Sequence, residues 1–283
     1  MKKNLALLLA AGMTLSLVAC GSTDSATETV AETATEEATV AEEAAEAATV
    51  AEEAVEAASE EASAEETADV AVMSYEEFVA AELETEVCVE TYVQAKQSWW
   101  EDQATVYTQS EEGAYFLYNM ACSEEDYEKL TTGTKIRVTG YKSEWSGEVE
   151  IIDATFEIID GETFEAAPID VTSLLGTDDL IDLQNQYVSF TDMTVEASTD
   201  ADGNEAAFLY NWDGSGSQGD DLYFNVSIDG NTYTFTVESY LCDKDSEVYQ
   251  AVEALNVGDV VDMEGFLYWY EGANPHITSV VVK

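Results

Sequence analysis

Nine aromatic side chains stand beside carboxylates and amides in this sequence, and they are the residues best suited to bind something. Trp99 and Trp100 follow one strand-like run, and Tyr141 and Trp145 flank a turn. Farther along, Tyr210 and Trp212 lie in a polar insertion, and Tyr268, Trp269 and Tyr270 form a second turn. Flat rings next to Asp, Glu, Asn and Gln can stack on sugar rings and hydrogen-bond their hydroxyls, or grip an extended peptide. The ordinary alternative is that they pack the fold. A second candidate is the run Asp200-Ala-Asp202-Gly203-Asn204-Glu205 followed by Asp213, Asp220 and Asp221. Its hard oxygens in a flexible loop would suit Ca²⁺, but it lacks the helix-flanked pattern and terminal glutamate of a complete calcium loop, and a solvated loop is the default. Otherwise no cofactor is expected.

Catalytic machinery is harder to find. His276 is the only histidine, so a Cys-His or Ser-His pair would have to use it, and no glycine-marked nucleophile elbow accompanies it. A multi-histidine zinc site is excluded. Carboxylate pairs for glycoside hydrolysis are not singled out among so many Asp and Glu residues. Lys135, Arg137 and Lys142 form the only basic cluster in the part expected to fold, where salt bridging is the default role.

The formal charge of −51, from 9 basic and 60 acidic residues, would repel phosphate backbones. Since nucleic-acid affinity comes largely from Lys and Arg neutralising phosphates, no nucleic-acid partner is expected. Near the N-terminus Lys2 and Lys3 precede an apolar run, Leu5 to Val18, too short to span a bilayer comfortably and typical of a secretory signal. It ends Leu17-Val18-Ala19-Cys20-Gly21, which resembles the lipobox of bacterial lipoproteins. That resemblance implies lipid attachment at Cys20 and a place on the extracytoplasmic face of the bacterial membrane. Cys88, Cys122 and Cys242 remain, allowing one disulfide at most, and small buried hydrophobes are the favoured reading.

The elements that would position the aromatics come from a duplication. Gly133, Gly140 and Gly147 recur as Gly258, Gly265 and Gly272 at one constant offset of 125 residues. Residues 1–20 read as the signal, and 21–72 as a disordered acidic stalk of Ala, Glu, Thr and Val whose like charges repel. Residues 73–161 form a first unit, 162–186 a connector with a short helix over 177–184, and 187–283 a second unit. Each unit is predicted as a short helix, three strands, a helix and two strands, from period-two alternation and capping patterns such as Ser74-Tyr-Glu-Glu77. Ile136 and Val138, with Val261 and Met263, should face inward.

Five strands with a helix between the third and fourth resemble the OB-fold, a small Greek-key barrel. The ordered region is similar to the tandem OB-folds of surface lipoproteins from Gram-positive anaerobes, for which no activity is implied. Both aromatic regions of each unit fall where such barrels bind ligands. The expected function is therefore non-catalytic binding of an uncharged or cationic extracellular ligand, a glycan or a peptide. An envelope scaffold contacting a partner protein is the alternative, and a carboxylate-based hydrolase the third.

Overall fold

The computed structural model describes residues 70–283. The expected signal peptide, the Cys20 lipobox and nearly all of the acidic stalk lie outside the described residues.

Helix α1 (Tyr75–Ala80) starts at the capping box: Glu77 N–H donates to Ser74 Oγ at 3.2 Å, and Ser74 N–H donates to Glu77 Oε2 at 2.9 Å. Strands β1 (Glu86–Lys96), β2 (Gln103–Gln109) and β3 (Ala114–Ala121), helix α2 (Glu124–Lys129), then β4 (Thr134–Trp145) and β5 (Glu148–Thr163) complete the first unit. The strands close in the order β1-β2-β3-β5-β4, with β3 and β5 parallel and the other pairs antiparallel. The connector places β6 (Ile169–Asp170) beside the start of the second unit. The short helix expected over 177–184 is a 3₁₀ helix at Asp178–Leu183, preceded by a 3₁₀ turn at Thr172–Leu174, and Thr177 makes no side-chain cap.

The second unit contains β7 (Tyr187–Glu196), an insertion with β8 (Ser198–Thr199), β9 (Glu205–Ala206) and β10 (Leu209–Tyr210), then β11 (Leu222–Ile228) and β12 (Asn231–Val237). Helix α3 (Glu247–Glu253), β13 (Val260–Phe266) and β14 (His276–Val282) follow. Strands β7-β11-β12-β14-β13 pair in that order and β13 pairs back onto β7, so this unit also closes with the same strand order. The protein is thus mainly β, with two tandem OB-fold barrels, each with a helix between its third and fourth strands.

The glycine echo has a geometric cause. Gly140 and Gly265 sit at matching register shifts in the fourth strands of their barrels. A Cβ on Gly140 would lie 2.8 Å from the Ile152 carbonyl oxygen, and one on Gly265 would lie 2.3 Å from that of His276. Only a residue without a side chain lets the fourth strand fold over the fifth at this point. The inward positions are as expected: Ile136, Val138, Val261 and Met263 are all buried. Cys88, Cys122 and Cys242 are all unpaired thiols, the first two buried.

A small third core joins the barrels. Tyr107 and Phe116, from β2 and β3, pack with Phe266 of β13, and Tyr187, Leu241 and Tyr268 close around them. The Tyr107 ring stacks on Phe266 at 4.5 Å, and its hydroxyl lies 2.6 Å from His276 Nδ1. The two fourth-to-fifth strand turns also meet at residues that are equivalent in the repeat. Trp145 packs against Tyr270 at 5.2 Å, and Glu271 N–H donates to the Ser146 carbonyl at 2.8 Å.

Candidate functional site

An OB-fold presents its ligand on the outer face of strands two and three, framed by the loops after strand one and between strands four and five. In the first barrel this face is β2 and β3, and the inter-barrel core of Tyr107 and Phe116 covers it. Strand β2 is accordingly buried on both faces over 104–109. In the second barrel the corresponding strand β11 alternates. Leu222, Phe224 and Val226 point inward, whereas Tyr223 and Asn225 point into a cleft of about 1190 Å³. Thr234, Thr236 and Glu238 continue the floor along β12 and just beyond it.

The walls are aromatic. Trp212 comes from the insertion, Tyr268 and Tyr270 from the β13–β14 turn, and Trp145 reaches over from the first barrel. Trp212 is 76 % exposed and Trp145 54 %, so their faces are open to a ligand. The Tyr268 ring stacks on His276 at 4.3 Å. Burial holds His276 down to about 3, so it is neutral and structural. Burial, helped by Glu148 and Glu150, keeps the Tyr268 phenol protonated.

The charge in the cleft is all negative. Asp221, Glu238 and Glu271 line it, and no Lys or Arg does. Burial pushes Glu238 up to about 7, and the neighbouring Asp221 adds to the shift. Both Glu238 oxygens accept backbone N–H groups, Oε1 from Tyr240 at 3.2 Å and Oε2 from Leu241 at 2.9 Å. Asp221 Oδ1 accepts the Ser239 N–H at 2.8 Å and its hydroxyl at 2.7 Å. The two carboxylates therefore brace one turn from either side.

No protein-family model matches the chain, and no curated protein matches it in sequence. Among solved structures it is similar to a murine DNA-binding protein bound to dsDNA, at 8 % identity over 69 % of this chain and 94 % of that one, with a TM-score of 0.34. It is similar to a HINa domain in complex with 20-bp dsDNA, at 12 % identity over 71 % and 96 %, with a TM-score of 0.33. A replication protein A heterotrimer bound to ssDNA is similar at 10 % identity over 71 % of this chain and 49 % of that one, with a TM-score of 0.28. These neighbours correct one expectation. The charge-based expectation of no nucleic-acid partner is contradicted: these neighbours are solved bound to dsDNA or ssDNA.

Of the aromatics expected to form a site, the cleft gathers Trp145, Trp212, Tyr268 and Tyr270. The others lie elsewhere. Trp99 donates its indole N–H to the Cys122 carbonyl at 2.8 Å, and Trp100 and Tyr141 are exposed away from the cleft. Tyr210 donates to Glu253 at 2.6 Å and packs edge-on against Phe208. Trp269 packs onto Gly147, where a Cβ would lie 2.8 Å from its ring.

The calcium candidates are dispersed. Asp200 accepts the N–H groups of Asp202 and Asn204 and the Asn204 side-chain amide, Asp213 accepts Ser215, Asp220 accepts Ser217, and Asp221 accepts Ser239. Asp200, Asp213 and Asp220 each close their own turn, Asp221 reaches across to Ser239, and no group of three acidic, His or Cys residues gathers among the described residues. Glu238, like the floor residues Tyr223, Asn225, Thr234 and Thr236, is a site residue that the sequence did not single out. Its signal is parity, since it continues the outward row of Thr234 and Thr236.

Proposed function

We propose that the protein binds an extracellular ligand, a glycan or a peptide that is uncharged or cationic, in the cleft of its second barrel, and that it does so without chemistry. One observation carries this: the ligand face of the second barrel is open and walled by exposed Trp145 and Trp212, while the same face of the first is covered. A pairing of aromatic faces, as expected of a scaffold, occurs within the chain itself and leaves the second face free. Asp221 and Glu238 have oxygens engaged by the Ser239–Leu241 turn, which supports a role in holding that turn and presenting negative charge rather than in acid-base chemistry.

A glycan and peptide array probed with the full chain, then repeated with Trp145→Ala and Trp212→Ala, tests this reading. Each substitution should weaken binding about tenfold, the usual consequence of removing an aromatic contact from a site. Binding that survives both changes would sink the site. We further propose that Cys20 carries the lipid that holds the protein on the extracytoplasmic face of the bacterial membrane, on the strength of Lys2, Lys3 and the Leu5 to Val18 run before it. Cys20→Ser should move the protein from the membrane fraction to the soluble one, and retention would contradict the anchor.

A further inference from the structure

We infer that the group held at the floor of the cleft is a cation, an amine or guanidinium of the kind a lysine or arginine side chain of an extended peptide presents, with Asp221 and Glu238 as its counter-charges. This deepens the cleft reading above and rests on it.

The first observation is a buried carboxylate with no cation beside it among the described residues. Glu238 is 9 % exposed, and a carboxylate so placed is costly unless a positive charge accompanies it. The titratable groups whose fields reach it are Asp221, Tyr223, Tyr107, Tyr268 and Cys242, from four different strands and turns, and none is positive. His276, also in the cleft lining, is neutral.

Every cationic side chain among the described residues is already engaged elsewhere. Lys135 and Arg137 both grip Glu90, at 2.9 and 2.8 Å. Lys129 bridges Glu125 and Asp126, Lys244 pairs with Asp245, and Lys283 with Asp192 and Asp262. Lys96 and Lys142 donate to backbone carbonyls. Among the described residues no cation is left to complete Asp221 and Glu238, which leaves that place to a ligand.

The second observation is the wall. Rings present a negative face to whatever lies over them, which attracts a cation and repels an anion. The Trp145–Tyr270 pair, Tyr268 and Tyr223 line the same cleft as the carboxylates. A neutral sugar stacked on those rings would desolvate Glu238 further and offer no charge in return, whereas an ammonium or guanidinium satisfies rings and carboxylates together.

Calorimetry on the full chain decides the matter with three probes: the capped peptide Gly-Gly-Lys-Gly-Gly, the same peptide with norleucine for lysine, and the neutral sugar chitotetraose. The lysine peptide should bind at least about tenfold more tightly than the norleucine one. Its affinity should rise severalfold from pH 6 to pH 8, because the bound cation draws Glu238 into its ionised form and that form becomes freely available above its folded value of about 7. Asp221→Asn keeps the Oδ1 acceptor for Ser239 and should weaken the lysine peptide about tenfold while leaving the norleucine peptide unmoved.

If chitotetraose binds and lysine confers no advantage, the cation inference is overturned and the cleft reading stands. If no probe binds, or if binding is indifferent to Trp145→Ala and Trp212→Ala, both are overturned.

Discussion

Replacing Glu148 by glutamine is expected to stabilise the protein at pH 8 by on the order of 3 kcal/mol and to leave it almost unchanged at pH 5. Glu148 begins β5 and is fully buried where the two barrels meet. Its Oε2 accepts the Trp269 N–H at 2.8 Å and the Gln184 side-chain amide at 3.3 Å. Its Oε1 has no partner, and neither does Oδ1 of Asn185, whose side chain lies beside it. Two buried acceptors without a donor are costly, and a proton on the carboxyl removes the charge and supplies the missing donor. Burial accordingly pushes Glu148 from the ordinary 4.5 up to about 8, with Glu150 adding to the rise. Tyr107 and Tyr268 are the other titratable groups in its field, and neither offers a cation.

A raised folded pKa means that the native state holds a proton the unfolded chain has released. The stability it confers is complete below about 4.5 and is lost as pH climbs towards 8, at about 1.4 kcal/mol per unit. Glu150 and Glu238, also raised by burial, slope the same way. Glu90, Asp170 and Asp262 are lowered by their partners and lose their contribution on the acid side instead. The protein should therefore be most stable near pH 5. Glutamine mimics the protonated acid, so urea midpoints measured at pH 5, 6.5 and 8 should spread less for the variant than for the parent, the remaining spread belonging to Glu150 and Glu238. A variant that keeps the parental pH slope would show that Glu148 is not the group responsible.

The barrels were legible in the sequence because their cause is local and repeated. Alternation in β7 and β11, the Ser74 cap and the Asp229-Gly230 turn, whose residues have φ of 52° and 81°, each rest on residues within a few positions of one another. What was not legible is which barrel keeps its face open, since that depends on contacts between residues far apart in the chain. The trace it leaves is compositional. The outward positions of β2 and β3 include Tyr107 and Phe116, fit for burial, whereas those of β11 and β12 are Tyr223, Asn225, Thr234 and Thr236. Glu148 leaves no trace at all: a glutamate after the glycine of a hairpin reads as a solvated charge, and only the second barrel makes it otherwise.

Lys142 is the other residue whose sequence reading must change, and its removal should be costly: Lys142→Met is expected to destabilise the protein by about 3 kcal/mol. Grouped with Lys135 and Arg137 it reads as part of a basic patch, but it shares the parity of buried Ile136 and Val138 and ends their row. The ammonium emerges beneath α1 and donates to three carbonyls at that helix's C-terminal end, Phe78 at 3.0 Å, Val79 at 2.9 Å and Ala81 at 2.8 Å. Helix α1 has no basic residue in its last turn and an extended residue, Ala81, at its C-cap, so its terminal carbonyls depend on a donor from outside. The same ammonium sits 5.1 Å over the Phe78 ring, the helix's buried anchor in the first core.

Methionine preserves the apolar stem and its packing, so the loss measures the donors alone. Burial already depresses the Lys142 pKa, and no carboxylate partner offsets it, so the three carbonyls are what hold the charge in place. Arginine should not rescue, because its planar fork cannot aim three N–H groups at converging oxygens as an ammonium does. Hydrogen exchange should locate the damage, with the amides of α1 losing protection first and those of β13 and β14 retaining theirs. A methionine variant within about 0.5 kcal/mol of the parent, with α1 still protected, would mean that water caps the helix as well as the lysine does.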